Sequence, residues 1–523
     1  MAAQTRLLPQ VDAIDASQWH EISIPIGLEA LVIALVLCFT LVAQAFNLFN
    51  FPAYTANEGN LMANAWSLLH SQITPYVYTY DQPPIGWIQI AGWLQLTGGT
   101  ASFGNIINSG RILMMVLAFA SSLLLYLIAR RMSGSRSAAL LAMVLYALST
   151  LSLIYHHEVL LENIGVFWLL LSLCLITTGK SKLRTFVIAA VALGIAILTD
   201  DVLLCFLPVM IYAVWLYATP FQRKFSLLTF VYIVLVITSV YVLLALMKGE
   251  LFPPGLLPGD KGSHVSLIGS IIQQWQTPLN SKLFAESWNT WVQASWLFLA
   301  AGIVAMIINI LGGTVNRFQL LVALLAVTYC LVLLSSRNVY SYTIVPLLPF
   351  LALNIAMALN TPLRWLTRKS GFDLVRALLL FILVGALIPA SIQQGEPVLA
   401  KNAAGLQQQA LLWVRDNVPH NAVIIAPSYL YSDLREQGGD SAAFPNTYIY
   451  SDVVSDSQIT NEQLKGNWQN INFLVVDGSM LNEIKNGVQY ELLDEAIHHG
   501  ILRVTFGSAN DGTQIHIYQV IST

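Results

Sequence analysis

The sequence predicts an α-helical, polytopic membrane protein that ends in a small α/β domain. Hydrophobic residues make up 56% of the 523 residues and charged residues only 10%, whereas a soluble globular protein carries about 25% charged residues. Apolar stretches of membrane-spanning length recur as far as Gln393, and a soluble composition begins after it. We therefore expect a cytoplasmic segment (1–25), a membrane domain (26–394) and a soluble domain (395–523). The net charge of −3, with no cluster of basic residues, gives no reason to expect a nucleic-acid partner.

Apolar spans fill the predicted membrane domain. A helix needs about 20 apolar residues to cross a bilayer, and two spans between 186 and 219 are short enough to be half-buried segments instead. The predicted spans cover residues 26–47, 111–129, 138–155, 163–178, 186–199, 202–219, 226–247, 291–311, 318–335, 341–360 and 377–393. Their number, eleven, is odd, so the two ends of the chain should lie on opposite sides of the membrane.

The loops between the spans alternate in charge, and this alternation predicts the orientation of the chain. Cytoplasmic loops carry an excess of Lys and Arg. The basic loop residues are Arg130, Arg131, Arg136, Lys180, Lys182, Arg184, Arg223, Lys224, Arg317, Arg364, Arg368, Lys369 and Arg376. The pattern places the N-terminus in the cytoplasm and the soluble domain outside a plasma (inner) membrane.

The acidic residues collect on the opposite, outer side. Between the first and the last span, only Asp373 falls on the inner side. The outer acidic residues are Glu58, Asp81, Glu158, Glu162, Asp200, Asp201, Glu250, Asp260 and Glu286. Because acidic residues contribute little to topology, this bias indicates a functional site on the outer face.

The first outer loop, residues 54–93, holds the strongest candidate for a reactive site. It contains two helix-like runs, Glu58–His70 and Pro84–Leu96, which are too short to cross a bilayer and should lie along its surface. Glu58 and Asp81 stand near the starts of these runs, among aromatic residues. Two carboxylates at the boundary between water and lipid suit a reaction that needs a general base.

Both carboxylates also have a structural explanation. The stretch from Thr55 to Glu58 matches a capping box, in which a Thr and a Glu three residues later satisfy each other's backbone N–H groups. Asp81 could cap the helix that Pro83 and Pro84 pre-organise. The surrounding aromatic residues could form an interfacial belt or a surface on which a sugar stacks. The sequence leaves these alternatives open.

Further candidate residues lie where other spans meet the outer side. Glu158 and Glu162 are four residues apart, hence on one helical face, and His157 could join them in a metal site. Solvated side chains at a membrane exit are the plainer explanation. Arg111 opens the second span and Arg337 precedes the tenth. Each could hold a substrate phosphate or reach lipid head groups.

The remaining outer segments are a long loop and the soluble domain. The loop, residues 248–290, contains one amphipathic stretch, Val265–Trp275, and a loop of this length in a compact domain is usually functional or disordered. Strands that alternate with helices predict a small α/β domain after the last span. The predicted elements are Leu406–Asn417 (helix), Ala422–Ala426 (strand), Phe473–Asp477 (strand), Glu491–His499 (helix), Leu502–Phe506 (strand) and Gln514–Val520 (strand).

Several short motifs follow one another in a characteristic order. They are an acidic first outer loop with D-x-P-P, an Arg at the start of the second span, L-E-N-I in the fourth, I-L-T-x-x-x-L (Ile197–Leu203) with a following Pro208, and Y-T-I-V-P-L-L-P (Tyr342–Pro349). This order resembles the polyprenyl-phosphate-sugar-dependent glycosyltransferases of the GT-C fold. That group includes protein O-mannosyltransferases and lipid A aminoarabinose transferases. The resemblance covers about residues 50–350, and bacterial members have a similar outer α/β tail.

The resemblance implies an inverting transfer of a hexose or pentose from a polyprenyl-phosphate donor to a hydroxyl of an acceptor lipid, glycan or protein. It implies Glu58 as the base, Asp81 as its helper, and Arg111 with Arg337 as ligands of the donor phosphate. No nucleotide-sugar site is implied. The implied substrate contacts are Asn57, Tyr80, Gln82, His157, Glu158, Glu162 and Tyr342. A divalent metal ion on Glu158, Glu162 and His157 stays an open possibility.

The chain departs from the family pattern at four places, and three of these changes remove a cation. Asn57 stands where the family has the Asp of an Asp-Glu pair, and Gln82 where Lys or His commonly precedes the Pro pair. Glu158 replaces a common Arg, and residues 199–201 read T-D-D in place of a T-K-E-like motif. A second hypothesis is therefore a non-catalytic paralogue that binds lipid-linked glycans or a partner subunit. A third, a transporter, fits less well, since transporters place ionisable groups near the membrane midplane.

The predicted topology can be tested with a fusion protein. Alkaline phosphatase joined after Thr523 should be active, because the alternation of basic loops places the C-terminus outside the cytoplasm. The measurement is enzyme activity in whole cells, with a reporter that is active only in the cytoplasm fused at the same position as the control. An inactive phosphatase together with an active cytoplasmic reporter would refute the topology.

Overall fold

Helices dominate the structure of the protein, a computed structural model that describes residues 26–99, 102–178, 182–256, 265–370, 400–436, 443–456, 458–508 and 514–521. The predicted cytoplasmic segment and the predicted eleventh span lie outside these residues.

Each of the first ten predicted spans falls on one helix or on two consecutive helical segments. The helices up to residue 370 are α1 (Ile26–Ala45), α2 (Ala56–Leu69), α3 (Ile85–Leu96), α4 (Ile106–Ser133), α5 (Arg136–Leu148), α6 (Thr150–His156), α7 (Leu161–Ile176), α8 (Leu183–Thr199), α9 (Leu207–Tyr217), α10 (Arg223–Met247), α11 (Leu267–Gln276), α12 (Ser281–Gly312), α13 (Arg317–Ser335) and α14 (Leu348–Ser370). Two 3₁₀ turns, Asp201–Phe206 and Ser341–Leu347, lead into α9 and α14. An apolar segment in lipid becomes a helix because a helix satisfies all its backbone hydrogen bonds internally.

The lengths of these helices decide which of them can cross a bilayer alone. Five helical stretches in the described part of the chain are long and apolar enough, and α5 with α6, bent by 56°, can count as a sixth. Four other apolar helices, among them α7 and α8, are shorter. The protein is therefore a multi-pass membrane protein, and the number of eleven spans stays a prediction.

The first outer loop folds into α2 and α3, close to the predicted bounds. Thr55 and Glu58 form both hydrogen bonds of the predicted capping box at the start of α2. At the start of α3, by contrast, the N-terminal cap is Pro84, and no side chain makes a capping bond there. Asp81 therefore does not cap this helix, and its structural alternative is not realised.

The C-terminal region contains a five-stranded mixed sheet. The strands are β1 (Ile424–Ala426), β2 (Thr447–Ile449), β3 (Phe473–Asp477), β4 (Gly500–Phe506) and β5 (Ile515–Val520), and the helices around them are α15 (Gly405–Asn417), α16 (Ser428–Arg435), α17 (Tyr450–Ser455), α18 (Gly478–Asn486) and α19 (Glu491–His498). The strand order is β2-β1-β3-β5-β4. β1 pairs in parallel with β2 and β3, whereas β5 pairs antiparallel with β3 and β4.

The central strand β3 is buried on both faces of the sheet. Phe473 and Val475 join a hydrophobic cluster that continues into α2 and α3 of the first outer loop. Leu474 and Val476 point to the other face and join a separate core inside the C-terminal region. Successive side chains of a strand alternate between faces, so one strand serves both cores.

The C-terminal region packs directly on the first outer loop. A Cβ added at Gly59 in α2 would lie 2.2 Å from the backbone nitrogen of Tyr429 in α16, so only glycine allows this approach. Gln407 in α15 exchanges two hydrogen bonds with the backbone of Tyr54, of 2.7 and 2.8 Å. Because they are in contact, the first outer loop and the C-terminal region lie on the same side of the membrane.

Candidate active site

A cavity of about 910 Å³ lies between the first outer loop and the C-terminal region. Its wall includes Asp81 from the loop, and Asp452 and Asp456 from the C-terminal region. Among the described residues, no Lys, Arg or His lines it. The aromatic residues of the wall are Tyr76, Tyr78, Trp87, Tyr340 and Tyr342. A large cavity with aromatic walls and a few convergent polar groups is typical of a ligand-binding site.

Asp81 is the exposed carboxylate of this wall. The hydroxyl of Thr79 donates a hydrogen bond of 2.7 Å to Oδ2 of Asp81. No Lys or Arg of the described residues forms an ion pair with Asp81. A carboxylate that is hydrated and bound to a single hydroxyl can accept a proton from a hydroxyl that enters the cavity.

Glu58, the predicted base, lies outside the cavity wall and is 0% exposed. Nε and Nη2 of Arg111 donate hydrogen bonds of 3.0 and 2.9 Å to its two oxygens. The backbone nitrogens of Val159 and Thr55 donate two more, of 3.0 and 3.1 Å. An ionised carboxylate has about four acceptor sites, so the protein itself saturates this one.

Arg111, a predicted ligand of the donor phosphate, is also 0% exposed. Its Nη1 donates a hydrogen bond of 3.1 Å to the carbonyl of Leu48, and its guanidinium lies 4.8 Å from the ring centroid of Tyr54. The predicted base and the predicted phosphate ligand therefore neutralise each other inside the protein. Neither side chain belongs to the cavity wall, so the roles of Glu58 as base and of Arg111 as phosphate ligand stay predictions.

The other predicted substrate contacts divide between the cavity and its surroundings. Asn57, Gln82 and Tyr342 line the cavity. Tyr80 is 3% exposed and is not part of the wall. Arg337 is exposed and also stands outside the described lining.

Glu158 and Glu162 lie in a buried acidic group that also contains Asp200. Tyr342, a residue of the cavity wall, interacts electrostatically with all three carboxyls of this group. Burial, together with the nearby charge of Glu58 and of Glu162, raises the pKa of Glu158 above its usual range.

The possible metal site finds no support in this group. Within the described ranges, no three His, Cys, Asp or Glu side chains are arranged to hold a metal ion. Nδ1 and Nε2 of His157 lie 3.1 Å from the carbonyl oxygen of Phe51 and 2.7 Å from that of Gln44. His157 therefore connects its loop to the last turn of α1 and to the segment after it, and does not join Glu158 and Glu162.

Several residues in or beside the cavity wall have no local sequence pattern that indicates a site. Asp452 and Asp456 reach the cavity wall from the C-terminal region, and no local pattern connects them to the first outer loop. Lys248 lies 5.7 Å from the ring centroid of Tyr78, a residue of the wall, and pairs with Glu250. The only sequence feature that indicated Glu250 was the accumulation of acidic residues on the predicted outer side of the membrane.

Comparisons with known proteins agree with this architecture. Residues 65–250 match the model of the family described as dolichyl-phosphate-mannose-protein mannosyltransferase. A comparison with the sequences of curated proteins gives no match.

The solved structures that resemble most of the chain include three different proteins. ArnT from Cupriavidus metallidurans bound to undecaprenyl phosphate has a TM-score of 0.54 at 14% identity, over 95% of this chain and 99% of that chain. The Archaeoglobus fulgidus oligosaccharyltransferase tethered with an acceptor peptide has a TM-score of 0.56 at 13% identity, over 95% and 74%. The arabinofuranosyltransferase AftD from Mycobacteria has a TM-score of 0.50 at 16% identity, over 96% and 40%.

The predicted resemblance is confirmed. The chain is a multi-pass membrane protein with the GT-C glycosyltransferase fold. Its residues 65–250, from α2 to the end of α10, match the protein mannosyltransferase family.

Glu58→Gln tests the assignment of the buried ion pair. The variant should lose about 3–5 kcal/mol of stability, because it leaves the charge of Arg111 buried without a counter-ion. Thermal unfolding of the full-length protein in detergent measures the loss. The control is Glu286→Gln, whose side chain is 62% exposed and lies 3.9 Å from Lys282, so that it should change stability by about 0–1 kcal/mol. A Glu58→Gln variant as stable as the parent would contradict the assignment.

Proposed function

We propose that the chain is an integral membrane glycosyltransferase that uses Asp81 as its general base. It moves a hexose or pentose from a polyprenyl-phosphate donor to an acceptor hydroxyl on the extracytoplasmic side, with inversion at the anomeric carbon. The observation that carries this proposal is the exposed carboxylate of Asp81 in the wall of the 910 Å³ cavity. The GT-C fold and the family match support the class of reaction.

The proposed reaction needs one proton acceptor and one leaving group. Asp81 takes the proton from the acceptor hydroxyl, and the oxygen attacks the anomeric carbon from the face opposite the phosphate. The new bond joins the acceptor oxygen to this carbon, while the bond from the carbon to the phosphate oxygen breaks. The polyprenyl phosphate leaves with that electron pair. General base catalysis of this kind contributes about 10²–10⁴-fold.

The donor would approach from the membrane side of the cavity. Tyr340 and Tyr342 line the cavity at the start of the segment that leads into α14. Arg337, which is exposed, lies only three residues before Tyr340, so it remains our proposed ligand for the donor phosphate. Asn57 and Gln82 offer neutral amide groups from the opposite loop, which suit sugar hydroxyls.

A non-catalytic paralogue is the second candidate function. The specific observation in its favour is that the cavity presents the amide of Asn57, while the acid next to it, Glu58, is held by Arg111. The first outer loop therefore places one carboxylate, Asp81, in the cavity wall instead of an acidic pair. A non-catalytic paralogue would use this cavity to bind a lipid-linked glycan without transferring its sugar.

Removal of the gene separates the two functions. For an active enzyme, mass spectrometry of the lipid extract should show that one polyprenyl-phosphate sugar accumulates, and its mass would identify the sugar. For a non-catalytic protein, the donor should not accumulate. The accumulated lipid then serves as the readout for variants.

Asp81→Asn should fail to remove the accumulated donor when it is returned to the deletion strain. The amide cannot take the proton, so turnover should fall about 10²–10⁴-fold, while stability should change little because Asp81 is exposed. The matched control is Asp416→Asn, which changes an exposed aspartate outside the cavity wall and should clear the donor as the parent does. Clearance by Asp81→Asn at the parental rate would show that the base lies elsewhere.

A further inference from the structure

The residue before the proposed base has an unusual backbone conformation. Tyr80 has a φ of +59°, in the left-handed region that a bulky residue rarely adopts. Such conformations persist only where the surroundings impose them, and they concentrate at functional sites. The conformation of Tyr80 also sets the direction in which the chain presents Asp81.

Two polar contacts and two ring contacts fix Tyr80. Its hydroxyl donates a hydrogen bond of 2.5 Å to Oε2 of Glu250. Its carbonyl accepts one of 3.2 Å from the hydroxyl of Tyr241. The ring centroid lies 4.5 Å from that of Tyr78 and 6.0 Å from that of Tyr241. The side chain is thereby held in packing and does not belong to the cavity wall.

Glu250 is itself fixed by its neighbours. Nζ of Lys248 lies 2.7 Å from Oε2 of Glu250 and 5.6 Å from the ring centroid of Tyr80. The carbonyl of Glu250 accepts a hydrogen bond of 2.9 Å from the backbone of Leu267, at the start of α11. Helix α11 therefore holds the backbone of Glu250, and Lys248, the residue after α10, holds its carboxylate.

Helix α11 also holds the segment on the other side of Tyr80. The hydroxyl of Ser270 donates a hydrogen bond of 2.7 Å to the carbonyl of Thr79. The hydroxyl of the same Thr79 donates to Asp81. The long outer loop, residues 248–290, therefore contacts both residues that precede the proposed base.

We propose that Glu250 is a positioning residue of the reaction. Through its hydrogen bond to Tyr80 it keeps the left-handed conformation and so directs the carboxylate of Asp81 into the cavity. This inference rests on the proposed function, since it takes Asp81 as the base. Without the bond, Tyr80 can relax toward a negative φ, and the relaxation turns Asp81 away from the acceptor.

The test measures turnover in variants of both partners. Glu250→Ala and Tyr80→Phe each remove the hydrogen bond, while only the first also disturbs Lys248. Both should lower kcat by about 10-fold or more, because a displacement of about 1 Å from the reactive geometry can cost about 10²-fold. The apparent KM for the donor and the unfolding temperature should stay unchanged, which a merely structural role would not produce.

The assay uses the full-length protein and its native substrates. Purified variants are added to membranes of the deletion strain, which contain the accumulated donor, and the release of polyprenyl phosphate is followed by mass spectrometry. Glu250→Gln keeps an acceptor for the Tyr80 hydroxyl and should retain most of the turnover. Glu286→Ala, which removes a carboxylate that lies 3.9 Å from Lys282, is the control and should match the parent.

A double substitution separates this inference from the proposed function. In the Asp81→Asn background, Glu250→Ala should cause no further loss, because both changes act on one carboxylate. If the losses multiply, or if neither Glu250→Ala nor Tyr80→Phe changes kcat, the positioning role is wrong although Asp81 can still be the base. If Asp81→Asn itself keeps full turnover, the proposed base is wrong. Should Glu250→Ala fail to fold, Tyr80→Phe alone decides the question.

Discussion

The structure depends on one buried ion pair, between Glu58 and Arg111. Both side chains are 0% exposed, and removing two charges from water costs several kcal/mol for each ion. The protein offsets this cost by giving the carboxylate four hydrogen bonds, two from the guanidinium and two from backbone nitrogens. The pair connects α2 to α4, the loop before α7 at Val159, and the segment after α1 at Leu48. The pair therefore holds these elements together beside the first outer loop.

The same pair distinguishes the buried carboxylate of the first outer loop from the exposed one that we propose as the base. Glu58 cannot serve as a base while a guanidinium occupies both of its oxygens. Among the described residues, Asp81 accepts a side-chain hydrogen bond only from the hydroxyl of Thr79, and its own side chain is exposed. Two carboxylates on one loop thus differ in their chemistry through their surroundings alone. Tyr80 has a left-handed backbone conformation. Its own side chain is buried, whereas the side chain of the next residue, Asp81, lies in the cavity wall.

Local patterns predicted the secondary structure well. The strand predicted at Phe473–Asp477 has those bounds in the structure, and the first loop helix, predicted at Glu58–His70, covers Ala56–Leu69. Strand β2 (Thr447–Ile449) was missed, since its three residues form a strand only by pairing in parallel with β1. The capping box was visible in four consecutive residues and is present. The ion pair of Glu58 with Arg111 could not be predicted from a local pattern, because Arg111 lies 53 residues further along the chain.

The sequence by itself determined the class of this protein: a membrane protein with the GT-C fold, its helices, and a first outer loop with two acidic residues. Hydropathy and residue order carry that information because burial in lipid and helix formation are decided within each segment. The tertiary structure alone decided which acidic residue is buried in an ion pair and which is exposed in the cavity wall. It also brought Asp456 of the C-terminal region to the same cavity as Asp81. The physical reason is that the charge and solvation around a carboxyl depend on residues that are distant in sequence. Local periodicity does not indicate which distant residues these are.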